Sequence, residues 1–172
     1  MNGGGFEIER KFLIGYPTAQ VLSQCRISHI VQTYLVPDSE GWTERVRART
    51  SDGGCVYTHT RKLHISSVRR VEDEHEVSRE EYEKLLTRAD PRKKPIEKRR
   101  GCYLYRDQLF EIDLYPFWQD RAIMELELTG EEQEIFLPPE IHIIKEVTDD
   151  KRYTNSSLAR TVPMDEIGKE TL

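Results

Sequence analysis

Phe6-Glu7-Ile8-Glu9-Arg10-Lys11-Phe12-Leu13-Ile14 is the stretch that decides the fold. Its residues alternate: Phe6, Ile8, Phe12 and Ile14 share one side, interrupted by Arg10, while Glu7, Glu9, Lys11 and Leu13 share the other. Period-two alternation marks a β-strand with one face toward an apolar layer. The second face carries charges of both signs in a fixed order. The rise per residue of an extended chain sets successive members of Glu7-x-Glu9-x-Lys11 about 7 Å apart. Two carboxylates so spaced can ligate a hard divalent cation, and the lysine can meet an anion bound to it. Alone, such a strand is far more often a solvated face. The reading turns on whether other strands hold charges in phase.

They do. Thr43–Thr50 puts Arg45, Arg47 and Arg49 on one face, with Val46 and Ala48 opposite. Asp52-Gly53-Gly54 then reads as a hairpin turn leading into Cys55–Lys62, where Thr58, Thr60 and Lys62 share a face. Arg70–Val77 carries Glu72, Glu74 and Glu76 in phase, and Ile96–Tyr103 carries Lys98 and Arg100. Leu109–Tyr115 alternates Glu111 and Asp113 against Phe110, Ile112 and Leu114, and Ala122–Thr129 alternates Glu125 and Glu127 against Met124, Leu126 and Leu128. His29–Val36, mostly apolar and ended by Pro37, completes the set.

Helices are fewer and short. Ser78-Arg79-Glu80-Glu81 is a capping box, followed at helical spacing by Tyr82, Leu85, Leu86 and Ala89. Weaker helical signals cover Pro17–Cys25 and Ser156–Thr161. Many strands with few helices imply a mainly β (α+β) fold, either a closed antiparallel barrel or two packed sheets. If the apolar helix faces cover the outside of a barrel, the charged faces point inward. A charged interior is costly unless its charges pair or bind something, which marks it as a site.

The 172 residues suit one domain, with a core over about 6–160 and a loose tail at 163–172. Lys+Arg 26 against Asp+Glu 31 gives a net charge of −5, which argues against a nucleic-acid partner. No run of about 20 apolar residues offers a membrane span, and Met1-Asn2-Gly3-Gly4-Gly5 lacks the basic and apolar regions of a signal peptide. Cys25, Cys55 and Cys102 form no CxxC pair, so a reduced, cytoplasmic chain is the simplest reading. Monomer and homodimer stay equally open.

Taken together, Glu7-x-Glu9-x-Lys11, Arg45-x-Arg47, Lys62, Glu74-x-Glu76, Lys98-x-Arg100, Asp113 and Glu125-x-Glu127 resemble the CYTH family, also called triphosphate tunnel metalloenzymes. Asp150-Lys151-Arg152-Tyr153 followed by Asn155 is similar to its bacterial branch. The elements stand in family order along nearly the whole chain. The resemblance implies an eight-stranded antiparallel β-barrel, a tunnel with a few short helices outside, gripping a small-molecule triphosphate with Mg²⁺ or Mn²⁺. Such a substrate carries about four negative charges near neutral pH, so its chemistry needs charge stabilisation and positioning more than a protein nucleophile.

On the same resemblance, Glu7, Glu9, Glu125 and Glu127 are the expected metal ligands, with Asp113 either a further ligand or the partner of a tunnel base. Lys11, Arg45, Arg47, Lys62, Lys98 and Arg100 are expected to bind phosphate oxygens. Lys151 and Arg152 are expected at one tunnel mouth, with either one facing the ligand. Glu74, Glu76 and Lys11 form the expected catalytic set, the two glutamates orienting the attacking water or holding a second metal, and Glu72, in phase with both, is the alternative partner of Glu76. Arg99 has the wrong parity and is expected outside. The five histidines, His29, His59, His64, His75 and His142, show no metal-ligand spacing and read as ordinary surface or core residues.

The implied activity is metal-dependent hydrolysis of a triphosphate, inorganic tripolyphosphate first, with nucleoside or thiamine triphosphate as other substrates. The alternatives are an adenylate cyclase of class IV type and a non-catalytic polyphosphate- or nucleotide-binding module. Class IV cyclases carry His-Phe upstream of the E-x-E-x-K element; here Gly5-Phe6 stands there, which favours hydrolysis.

Overall fold

A computed structural model describes residues 5–66 and 68–163, with side chains from residue 8 onward. Its strands are β1 (Gly5–Gly15), β2 (Arg26–Leu35), β3 (Trp42–Ser51), β4 (Gly54–His64), β5 (Arg69–Val77), β6 (Ile96–Tyr105), β7 (Gln108–Leu114), β8 (Arg121–Glu127) and β9 (Ile143–Glu146). Three short helices, α1 (Ala19–Ser23), α2 (Arg79–Leu85) and α3 (Asn155–Leu158), stand among them. The strands run in the order β5-β4-β3-β2-β6-β7-β8-β1, and pairing of β1 with β5 closes the ring. Every pairing is antiparallel.

Closure is partial along β1. Gly5–Ile8 pair with Arg69–Glu72 of β5, whereas Phe12–Ile14 pair with β9. The ninth strand was not expected. It is four residues long and its Ile143-Ile144 pair breaks alternation, so its sequence carries no strand signal.

Two faces of opposite chemistry follow from strand parity. Outward, Phe12, Ile14, Phe110, Ile112, Met124 and Leu126 form an apolar layer with Val21 of α1 and Ile141. Inward, at one end only, Leu13, Tyr34, Ile96, Tyr115, Trp118 and Ile123 pack on Tyr153, Leu158 and Ala159. Burying each large apolar side chain contributes about 1.5–3 kcal/mol, so both layers stabilise the ring. The second also plugs it: the turn Lys151–Tyr153 and α3 sit in that end of the barrel. Trp118 Nε1 donates to the Pro163 carbonyl oxygen at 3.1 Å, which ties down the first residue of the expected tail; residues 164–172 lie outside the described residues.

The hairpins obey backbone sterics. Arg106 and Asp107, at φ 48° and 61°, form the two-residue turn between β6 and β7, whose left-handed pair matches the twist of the strands. Gly54, at φ 109°, adopts after Asp52-Gly53 a conformation L side chains avoid. Ser78 caps α2 by accepting from the Glu81 amide at 3.1 Å, as its capping box implies.

Outside the barrel, Glu44 is 1% exposed and accepts from Arg88 Nη1 and Nη2 at 3.0 Å each, and contacts His59 Nε2 at 2.7 Å. Burial alone would raise this carboxyl; the Arg88 and His59 bonds hold it below the usual range. The clamp ties β3 to β4 and to the turn after α2. Its neighbour Arg45, on the opposite face, is thereby held inward.

Candidate active site

Beyond the apolar plug the interior is charged. A chamber of about 300 Å³ runs along the barrel, lined by seven Lys or Arg and six Glu side chains among the described residues. The signs are unevenly distributed, although Lys11 and Arg70 stand on the acidic side. Arg45, Arg47 and Arg49 of β3, Lys62 of β4 and Arg100 of β6 make one wall. Glu9 of β1, Glu111 of β7, and Glu125 and Glu127 of β8 make the other.

The basic wall is crowded. Arg47 is pushed down to about 10, first by burial and then by the guanidiniums of Arg45, Arg100 and Arg49, with Glu74 offsetting part of this. A guanidinium at that value is still fully charged at neutral pH, so the wall is a positive surface in need of an anion. Glu74 takes the Thr60 hydroxyl at 2.7 Å and lies 3.6 Å from Arg47. Lys62 lies 3.7 Å from Glu72.

The acidic wall is crowded too. Strand register sets Glu9 directly opposite Glu127, and Glu111 directly opposite Glu125. Facing like charges destabilise a sheet unless a cation lies between them. Protein cations supply part of the compensation: Arg70 lies 2.5 Å from Glu9, Lys11 3.3 Å from Glu125, and Arg100 2.6 Å from Glu111. Burial would raise Glu125, but Lys11, Arg100, Lys98 and Arg70 hold it far below the ordinary range. Burial likewise would lower Lys11, and Glu125 and Glu9 outweigh it, so its ammonium is firmly charged.

One layer behind, Lys98 and Asp113 are each 0% exposed in their side chains. Asp113 accepts from Lys98 Nζ at 2.7 Å and from Arg100 Nε and Nη2 at 2.7 and 2.9 Å. Burial, partly countered by Asp113, brings Lys98 down to about 8. This network anchors Arg100 and sets its guanidinium against the chamber.

The chamber brings together Glu9, Lys11, Arg45, Arg47, Lys62, Glu74, Arg100, Glu125 and Glu127 of the expected set, and Glu72 as well as Glu74. The other residues of the expected set lie elsewhere. Asp113 and Lys98 spend their polar atoms on each other and on Arg100, so neither lines the chamber. Glu76 has the right parity but lies one residue from the end of β5, exposed and outside the lining. Arg152 is captured by Asp150, with Nη2 to Oδ2 at 2.6 Å, and faces outward. Lys151 lines a second opening of about 540 Å³ beside the plug, which shares Glu9, Lys11, Arg70 and Thr154 with the chamber. The backbone of Glu7 is in register with Arg70; its side chain lies outside the described residues.

Several lining groups, Tyr34 and Thr43 among them, had no role assigned from the sequence. Arg70 and Glu111 were findable by parity, being in phase with Glu72 and Asp113. Arg49 shares its face with Arg47. The Thr154-Asn155-Ser156 segment reaches the chamber only because the plug carries it there, and nothing local announces that. His64 also lines the chamber and its second opening. Arg99 is exposed and donates to the Tyr16 hydroxyl at 3.3 Å, and His75 packs edge-on against His59, as parity implied.

Glu125, Glu74 and Asp113 are all held below their ordinary values of 4.5, 4.5 and 3.8. On acidification the unfolded chain therefore takes up protons first. The stability these carboxylates contribute is present above about pH 5 and falls as the pH drops through the ordinary values and below. Urea midpoints should hold steady down to about pH 5 and then decline. A midpoint unchanged to about pH 3.5 would show that these carboxylates gain nothing on folding.

The lining carboxylate oxygens are of the hard kind that suits Mg²⁺ or Mn²⁺. Among the described residues no three His, Cys, Asp or Glu side chains already converge on one point. Among the described residues no helix is long and apolar enough to cross a membrane.

No family model matches the chain. Over 165 residues it is 30% identical to the inorganic triphosphatase of Nitrosomonas europaea, covering 91% of this chain and 99% of that protein. The crystal structure of an inorganic triphosphatase matches with a TM-score of 0.57 at 29% identity, covering 92% of this chain and 97% of that one. A protein from Pyrococcus horikoshii gives 0.53 at 18% identity, with 73% and 80% covered, and attests the fold alone. A closed antiparallel ring, opposed charged walls and a relative similar from end to end converge on one conclusion: the chain belongs to the CYTH, or triphosphate tunnel metalloenzyme, family.

Proposed function

We propose that this protein hydrolyses inorganic tripolyphosphate to pyrophosphate and orthophosphate in the charged chamber, with Mg²⁺ or Mn²⁺ as cofactor. The observation that carries the reading is the pair of opposed walls, one for a polyanion and one for a cation, inside a single enclosed space. Arg45, Arg47, Arg49, Lys62 and Arg100 take the phosphate oxygens, the arginines as two-pronged donors. Glu9, Glu125 and Glu127 hold the divalent ion. Bound there, it neutralises phosphate charge and polarises the phosphorus–oxygen bonds.

Lys11 lies 3.3 Å from both Glu125 and the Tyr153 carbonyl oxygen, and so meets the end of the anion nearest the plug. Glu74, ionised and braced by Thr60, orients the attacking water and receives its proton, with Glu72 beside it. Water adds to the terminal phosphorus, the bond to the bridging oxygen breaks, and the electron pair leaves with pyrophosphate. Positioning and charge, rather than a protein nucleophile, carry the rate.

A panel of tripolyphosphate, ATP and thiamine triphosphate, each with Mg²⁺ or Mn²⁺ and with or without EDTA, tests the reading. Phosphate release should be fastest from tripolyphosphate and should stop with EDTA. Cyclic AMP from ATP would identify a cyclase instead, and calorimetric binding without any product would identify a binding module.

A further inference from the structure

Five of the eight buried side-chain nitrogen and oxygen atoms that lack a hydrogen-bond partner among the described residues lie on one patch: Gln32 Oε1 and Nε2, Arg45 Nε, Arg47 Nε and Thr58 Oγ1. They are adjacent by register. Gln32 of β2 faces Arg47 of β3, which faces Thr58 of β4, and Arg45 is the next inward residue beside Arg47. The flanking inward groups are satisfied: Ser28 accepts from Arg49 Nε at 2.9 Å, and Thr60 donates to Glu74.

Gln32 is the outlier, being 0% exposed with both amide atoms unpaired. A buried amide left this way is costly, and an apolar side chain of the same length would fill the space without that cost. Directly opposed residues on neighbouring strands have Cβ atoms about 4.5–5.5 Å apart, within reach of a Gln oxygen and an Arg Nε. Those two atoms are complementary, one acceptor and one donor, yet they are unjoined while Arg47 leans toward Glu74 at 3.6 Å.

We propose that Gln32 is a positioning residue for the phosphate-binding wall and acts through Arg47. When a polyanion enters, its charge relieves the repulsion among Arg45, Arg47 and Arg49 and draws the Arg47 Nη groups into the chamber. Gln32 Oε1 then accepts from Arg47 Nε and sets the plane of the guanidinium. The unpaired amide of the free protein is thus spent on the bound state. The inference rests on the chamber being the tripolyphosphate site.

The test uses Gln32→Met, which keeps length and removes both polar atoms, and Gln32→Asn, whose amide is too short to reach. For each, urea stability without ligand, kcat and KM for tripolyphosphate, and the tripolyphosphate-induced rise in Tm are compared with wild type. Gln32→Met should be at least as stable as wild type without ligand. Its kcat/KM should fall about 10- to 100-fold, as expected for loss of a hydrogen bond to a charged group, and its ligand-induced rise in Tm should shrink. Gln32→Asn should lose activity similarly. Wild-type kinetics in either variant overturns the proposal, and so does a loss of unliganded stability with the ligand-induced rise intact, which marks a purely structural residue. If wild type itself neither turns over tripolyphosphate nor is stabilised by it, the functional reading falls and takes this inference with it; an active wild type with an unaffected Gln32→Met removes the inference alone.

Discussion

Asp113→Ala will cost about 3–5 kcal/mol of folding stability, because it strands the buried Lys98 ammonium and takes one of the carboxylate partners of Arg100. Lys98 Nζ and the Arg100 guanidinium both bond this carboxylate within 2.9 Å, and both partners of the Lys98–Asp113 pair are fully out of water. With Asp113 gone, Lys98 has no counter-ion of comparable closeness among the described residues, while Arg100 keeps Glu111 at 2.6 Å. The loss should therefore fall mainly on Lys98. Urea denaturation measures it directly. The pairing is also predicted to be conditional: Lys98→Met combined with Asp113→Leu should regain most of what the single substitution loses, since apolar residues of similar volume often replace a buried ion pair without penalty. A loss below about 1 kcal/mol for Asp113→Ala would mean that water reaches the pair.

The second large effect is on turnover. Arg45→Ala and Arg47→Ala should each lower kcat/KM for tripolyphosphate by about 10²–10³, the scale of removing one preorganised donor from a developing charge. Stability should move the other way for Arg47→Ala, because burial and three neighbouring guanidiniums already press on that side chain. Arg47→Lys retains the charge but not the fork, and should recover only part of the activity. Steady-state kinetics paired with a thermal melt separates the two effects. Equal losses of activity and stability would assign Arg47 to the fold rather than to the substrate.

How far the sequence could be read depended on what parity can carry. Glu9, Arg47, Arg100 and Glu125 were legible as inward-facing because every second residue of a strand shares a face, and the opposite faces are apolar enough to need covering. Alternation left a barrel and two packed sheets both open, and the eight-stranded barrel came from the family resemblance. Parity says nothing about depth along the axis. Glu74 and Glu76 are equivalent in phase, yet one lies in the chamber and the other beyond it near the strand end. Lys98 and Arg100 are equivalent too, and Asp113 turns the first into a buried counter-charge. Depth is fixed by stagger between strands, which depends on pairings such as Glu9 with Glu127 that lie far apart in the chain.

The plug was less legible still. Tyr153, Leu158 and Ala159 show no amphipathic repeat long enough to announce burial, and become core only against Trp118 and Tyr115 of a distant loop. The choice between Lys151 and Arg152 was open in the sequence, and Arg152 is turned away for a local reason: Asp150 two residues earlier accepts from its amide and its guanidinium, an arrangement that short acidic side chains favour at turns.

Both walls of the chamber must act on one polyphosphate. Phosphorus-31 NMR of tripolyphosphate incubated with the protein and Mg²⁺ reads this without coupling enzymes. The expected spectrum shows the tripolyphosphate signals replaced by pyrophosphate and orthophosphate in equal amounts, halted by EDTA and nearly absent for Arg45→Ala/Arg47→Ala. Tripolyphosphate left intact by the wild-type protein, or consumed as fast by the double variant, would contradict it.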